Sequence, residues 1–233
     1  MDFETADFSG ATEYFAGPGS AYWSDLAYVI GHLRLQPSGE DGMTGNPNFG
    51  PKATNRILTE QAALLGWEKI PVPDSPKAAF GLDWDAGRGA VLVEWQFSNY
   101  PFLWNNIIRS QVAVHRSLLL QGMDSVPQAL VVVTKSGCPP ASRSTLYFEQ
   151  AKAQLGMAAE ALDLDIAVRL VGLTIPAGCA TVDADWNTYP GRTARKVPTS
   201  TPRDLDVTWS HRSRSGQPVA KIHVATADAL PGL

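Results

Sequence analysis

Cysteine is nearly missing from this chain: among 233 residues only Cys138 and Cys179 occur. Two thiols with no CxxC spacing are too few for a disulfide framework or a thiolate metal site. Of the histidines, His211 and His223 have no ligand spacing relative to each other. No apolar run approaches the roughly 18 residues that a membrane span needs, and Met1-Asp2-Phe3-Glu4 lacks the basic segment of a secretion signal. A reducing cytoplasm, with no membrane partner, is the expected setting. Gly178 and the Gly87-Arg88-Gly89 run belong to no GxGxxG or Walker pattern, which argues against a nucleotide cofactor. Internal repeats are absent as well. An excess of positive charge is also lacking: 19 Lys and Arg stand against 23 Asp and Glu, a net charge of −4, which argues against diffuse binding to polyanions.

A chain of this length can bury one sizeable core, so 1–233 is expected to be a single domain. Apolar spacing at helical period predicts helices over Tyr22 to Leu35, Thr54 to Gly66, Phe102 to Leu120 and Thr145 to Leu162. Buried strands are expected over Gln128 to Thr134 and Ile166 to Leu173, and Ser38 to Pro51 reads as a Gly/Pro/Asn-rich loop. Strands alternating with helices imply an α/β fold: a mixed central sheet covered by helices on both faces. The core is expected over about 54–175. From Thr174 onward the chain is turn-rich and predicts a short β elaboration, about 176–233. Basic residues concentrate from Tyr189 onward, where Arg192, Arg195, Lys196, Arg203, Arg212, Arg214 and Lys221 stand against only Asp204, Asp206 and Asp228. This stretch is either a tract that follows a polyanion backbone or a solvated tail.

The chemistry concentrates earlier. Asp83-Trp84-Asp85 is followed, nine residues after Asp85, by Glu94-Trp95-Gln96. Residues 81 to 85 read as a strand, 86 to 89 as a turn, and Ala90 to Phe97 as a second strand. Alternation puts Asp83 with Asp85 on one face and Glu94 with Gln96 on one face, while Val91, Val93, Trp95 and Phe97 point the other way. A carboxylate in mid-run of a Val-rich strand is costly unless something compensates it. A hard divalent cation such as Mg²⁺ would do so, through carboxylate, water and phosphate oxygens. Two carboxylates and a third polar group on adjacent strands are the layout of Mg²⁺-dependent phosphodiesterases, in which the metal polarises a phosphoryl oxygen. The bland alternative is an edge hairpin with solvated acids.

The residues that follow carry a resemblance. The run Val93-Glu94-Trp95-Gln96-Phe97-Ser98-Asn99-Tyr100-Pro101-Phe102-Leu103-Trp104-Asn105-Asn106, ending in Arg109-Ser110, resembles the catalytic segment of BglII-like type II restriction endonucleases. Further matches are Val133-Thr134-Lys135, Pro140-Ala141-Ser142, Leu146-Tyr147 with Glu149-Gln150-Ala151, Val168 to Leu173, and Tyr189 with Arg192-Thr193. They keep their order from about Asn48 to about Lys196. This group is a branch of the PD-(D/E)xK nucleases with Gln in place of the Lys, and Gln96 stands at that place here.

The resemblance implies a restriction-endonuclease-like fold and a role for each matching residue. Asp85 and Glu94 would be catalytic and would ligate Mg²⁺, with the main-chain carbonyl of Trp95 as a further ligand. Gln96 would hold the attacking water; a neutral amide cannot take its proton at neutral pH, so the proton leaves by another route. Asp83 would stand beside the site or be solvated. Ser98 and Asn99 would face the DNA bases; Asn99 and Pro101 also suit a helix start, and both readings are compatible. At 143–144 the family pattern has Asn-Ser and this chain has Arg143-Ser144. Arg favours guanine O6 and N7, so the outer pair of the family's AGATCT site is expected to differ around a kept GATC, unless Arg143 clamps a phosphate. Tyr189 and Arg192 would complete the DNA-binding set. Implied overall are Mg²⁺-dependent cleavage of double-stranded DNA at a GATC-centred palindrome, 5′-phosphate ends and a homodimer, because a palindrome mirrors twofold symmetry. The alternative is a modification-dependent or repair nuclease of the same fold, with Trp186 and Trp209 as candidates to hold a flipped base.

Overall fold

The computed structural model describes residues 1–38, 48–74, 79, 81–97, 101–136, 141, 146–189, 198–211 and 218–224. In chain order its elements are β1 (Asp2–Phe8), α1 (Ala11–Ala16), α2 (Ser20–Gly31), β2 (Pro37–Ser38), β3 (Asn48–Phe49), α3 (Pro51–Ala63), β4 (Glu68–Ile70), β5 (Trp84–Arg88) and β6 (Val91–Trp95). They continue with α4 (Pro101–His115), β7 (Ala129–Lys135), α5 (Phe148–Ala161), β8 (Ala167–Thr174), β9 (Thr181–Thr188), β10 (Thr199–His211) and β11 (Pro218–Val224).

Strands β6, β7 and β8 are near-continuous apolar runs because they are parallel neighbours covered on both faces. They form the middle of a six-stranded mixed sheet ordered β1-β8-β7-β6-β5-β4, in which β1 runs antiparallel to β8, β5 to β6 and β4 to β5. Side-chain alternation divides their contacts. Val91, Val93, Trp95, Phe97, Val131 and Val133 enter one apolar cluster with α1, α2, α3 and the second sheet. Leu92, Leu130, Val132, Val168 and Leu170 enter the other, under α4 and α5. The second sheet is five-stranded, ordered β11-β10-β9-β2-β3.

Several expected boundaries move. The hairpin strand is Trp84–Arg88 rather than 81 to 85, and its turn is Gly89-Ala90 rather than 86 to 89. Arg88 pairs with Val91, which leaves a two-residue loop with glycine first at φ 60°, a left-handed conformation that favours Gly. A side chain at Gly89 would also collide with the Tyr22 ring. Helix α2 ends at Gly31 instead of Leu35, because Leu35 leaves the helix to bridge Ala184 of the second sheet. Helix α4 ends at His115 instead of Leu120, where Ser117 turns left-handed at φ 49°. The short β region expected after Thr174 is a sheet of long strands, and it recruits β2 and β3 from the edges of the Ser38 to Pro51 loop. Strand β1 was not anticipated at all. Among the described residues no helix is long and apolar enough to cross a membrane.

Candidate active site

Asp85 and Glu94 meet because of how the β5–β6 ladder counts. Its pairs are Arg88 with Val91, Gly87 with Leu92 and Ala86 with Val93. The next step sets Asp85 opposite Glu94, on the same face. The ladder ends there, since β5 is irregular: Glu68 to Ile70 on β4 spans Gly87 to Trp84 on β5, two steps against three. Such a bulge re-aims side chains at the end of a strand. Asp85 Oδ2 turns inward and accepts the Trp95 main-chain N–H at 2.8 Å. The two carboxyls also act on each other electrostatically.

Burial dominates the electrostatics. It raises the Asp85 pKa, offset in part by the Trp95 N–H and the Arg109 charge. It raises that of Glu94 well above the ordinary value, with Arg109 opposing and Asp85 reinforcing the shift. Desolvation and mutual repulsion disfavour the charged forms of two adjacent acids, and a cation beside them offsets that cost.

Arg109 is the residue that sequence reasoning passed over, naming it only as the end of a matching run. Its guanidinium donates to Glu94 Oε1 and to the Leu82 carbonyl and lies 5.0 Å from the Trp84 ring centroid. The Trp84 indole N–H in turn donates to Ser110 Oγ at 2.9 Å. From the same helix Asn106 Nδ2 donates to Gln96 Oε1 at 2.9 Å, both side chains being buried. A signal for this set was present: Asn106, Arg109 and Ser110 sit at i, i+3 and i+4 on the face that also carries Leu103 and Ala113. Polar groups at that spacing on a buried helix stripe need a partner, and here the partner is the site.

Asp85, Glu94, Gln96, Asn106 and Arg109 line an open cleft of about 360 Å³ together with Asn55, Lys69, Asp83 and Phe102. Asp83 accepts the Val72 main-chain N–H at 3.1 Å and pairs with Lys69 at 3.2 Å, so it stands beside the paired acids. The donor set suits a hard divalent cation. No group of three His, Cys, Asp or Glu side chains gathers among the described residues, so such an ion would draw on two carboxylates and neutral oxygens. The Trp95 N–H points toward β5 beyond the last ladder pair, and in a strand the carbonyl of the same residue points to the same side. Asn55 Oδ1, at the cleft wall, is a buried acceptor with no partner among the described residues, which suits a bound water.

Of the expected DNA-binding residues, Ser98, Asn99, Arg143, Ser144 and Arg192 lie outside the described residues. Tyr189 is half-buried, one residue past β9 in the second sheet. The two tryptophans considered for a flipped base have structural contacts: the Arg203 guanidinium lies 5.9 Å from the Trp186 ring centroid, and Trp209 Nε1 donates to the Cys179 carbonyl at 2.7 Å.

Comparison with known proteins gives the family. The profile of the restriction endonuclease BglII/BglIII family matches residues 3–173. The type II restriction enzyme BglII of Bacillus subtilis is 38% identical over 176 residues, covering 74% of this chain and 76% of that enzyme. The crystal structure of BglII complexed with a DNA 16-mer superposes with a TM-score of 0.81 at 26% identity, over 96% of this chain and 100% of that one. Free BglII superposes with a TM-score of 0.66 at 29% identity, over 94% of this chain and 100% of that one. The chain belongs to the BglII/BglIII family of type II restriction endonucleases, which are site-specific deoxyribonucleases.

Proposed function

We propose that this enzyme is a homodimer that cuts double-stranded DNA at a GATC-centred palindrome, using Mg²⁺ and leaving 5′-phosphate ends, in the cytoplasm. The observation that carries the reading is the Asp85–Glu94 pair: a half-buried acid and a buried one, both raised in pKa by desolvation, opening on a cleft. Asp85, Glu94 and the Trp95 carbonyl would hold the Mg²⁺, whose charge would polarise a phosphoryl oxygen and acidify nearby water. Asp85 is kept in place by the Trp95 N–H, and Glu94 by Arg109. Gln96, with its carbonyl oxygen tied to Asn106, presents a fixed amide for orienting the attacking water. Being neutral, it stores no proton, so the water's proton passes to solvent.

Ser98 and Asn99, between the end of β6 and the start of α4, are proposed to read bases, and Arg143 with Ser144 to read the outer pair. GGATCC or a purine-GATC-pyrimidine site fits Arg143 better than AGATCT. Tyr189 and Arg192 are proposed DNA contacts from the elaboration at about 176–233. A modification-dependent nuclease of the same fold is the second reading, and the contacts held by Trp186 and Trp209 count against it.

Digestion of unmodified phage DNA in Mg²⁺, with fragment ends sequenced, tests the reading. Discrete GATC-centred ends are expected. Asp85→Ala is expected to abolish cutting while leaving specific binding largely intact, and retained cutting would remove Asp85 from the site. Cutting of methylated DNA alone would favour the second reading, and preferential cutting of AGATCT would defeat the role given to Arg143.

A further inference from the structure

Breaking a phosphodiester bond builds negative charge on the non-bridging oxygens of the phosphate, and a preplaced cation stabilises that charge most where water is excluded. Position 96, where related nucleases carry a lysine, holds a neutral amide. The side chains lining the cleft include two cations, Lys69 and Arg109. Arg109 is buried and committed to Glu94 and the Leu82 carbonyl, so it is not free to meet a phosphate. Lys69 is different. It belongs to the edge strand β4 and sits between Glu68 and Ile70, at the register shift opposite β5. The extra residue lies on β5, the strand that carries Asp85, so Lys69 stands across from the bulged stretch. Its ammonium lies 3.2 Å from Asp83 Oδ2, its side chain is 67% exposed, and its charge reaches Asp85.

We propose that Lys69 is a catalytic residue that binds a non-bridging oxygen of the scissile phosphate, standing in from β4 for the positive charge that position 96 lacks. Resting on the nuclease reading above, the inference adds a residue outside the motif. Asp83 is the positioning residue. Anchored by the Val72 N–H at 3.1 Å, it takes one of the three ammonium protons and leaves two for phosphate oxygens. In the step itself the water oxygen bonds to phosphorus as the P–O3′ bond breaks, with its electron pair staying on O3′. One water proton ends on O3′ and the other in solvent. Lys69 keeps its protons throughout.

The alternative is an ordinary exposed ion pair between Lys69 and Asp83, of the kind that contributes little. The test compares wild type, Lys69→Met and Lys69→Arg on the GATC-centred duplex that the wild type cuts best. Single-turnover rates are measured in Mg²⁺, with dissociation constants in Ca²⁺ and melting temperatures alongside. Lys69→Met is expected to lower the rate about 10²- to 10³-fold, the usual loss for one donor to a developing oxyanion. Binding should change by no more than about threefold, the melting temperature should hold, and Lys69→Arg should restore most of the rate. A Lys69→Met rate within about threefold of wild type overturns the proposal, as does a rate loss fully matched by weaker binding. If the wild type itself cuts no GATC-centred duplex, it is the nuclease reading that fails.

Discussion

Arg109 reaches up from α4 and donates to Glu94 with both side chains almost sealed from water, 1% and 6% exposed. A buried ion pair adds little net stability over an apolar pair of the same shape, but losing one partner strands a charge. Arg109→Met is therefore expected to lower the unfolding free energy by about 3–5 kcal/mol. The double variant Arg109→Met/Glu94→Gln should recover part of that loss, because it leaves no buried charge unpaired. Arg109→Lys should recover less than the double variant, since one ammonium cannot reproduce a planar fork that reaches both Glu94 and the Leu82 carbonyl. Urea unfolding followed by tryptophan fluorescence measures all three. Arg109→Met as stable as wild type would contradict the assignment.

The raised acids predict a pH dependence of definite sign. Burial lifts Asp85 and Glu94 above their ordinary values of 3.8 and 4.5. Over the window between ordinary and raised values the folded protein holds protons that the unfolded chain has lost. The stability tied to these groups is thus complete below the ordinary values and is lost as pH rises through the raised ones. Asp85→Asn carries no such loss at that position. The metal-free variant should gain on metal-free wild type as pH climbs above the ordinary carboxylate values. Added Mg²⁺ should stabilise the wild type increasingly over the same rise, because the cation needs the deprotonated acids. Urea midpoints with chelator and with Mg²⁺ check both trends.

Asn106 and Gln96 give a third expectation. Asn106→Ala unties the Gln96 amide and is expected to slow single-turnover cleavage about tenfold, the rate equivalent of about 1.4 kcal/mol. Asn106→Asp should be worse at neutral pH, because an ionised carboxylate offers no proton to Gln96 Oε1 and is itself buried. Its rate relative to Asn106→Ala should improve at lower pH, as the protonated carboxyl regains a donor. Parallel pH profiles for the two variants would refute the donor role of Asn106.

Much of the central sheet could be read from local pattern. The alternation that sends Val91, Val93, Trp95 and Phe97 to one face follows from strand geometry alone and recurs in the structure. The family resemblance, rather than spacing, singles out Asp85 over Asp83 as the partner of Glu94; the hairpin spacing brings both acids near it. The turn within that hairpin was misplaced because Gly87 and Gly89 are both turn formers, and only the pairing of Arg88 with Val91 shows which one serves. Gly87 stays in the strand, where an added Cβ would strike Ile70. Strand β1, with its acidic positions, carries no strong apolar pattern, and its partner β8 lies more than 150 residues away.

By itself, then, the amino-acid order determined the class of fold, the identity of the paired acids and the family, because each rests on residues close in sequence or on motifs in fixed order. Tertiary structure alone decided the rest. It closed Arg109 over Glu94, set Asn106 against Gln96, and brought Lys69 and Asp83 to the same cleft. It also joined β2 and β3 to β9, β10 and β11 in one sheet. The physical reason is common to all of these. A buried charge or unpaired strand edge must find a partner, and which partner it finds depends on what the fold brings within reach.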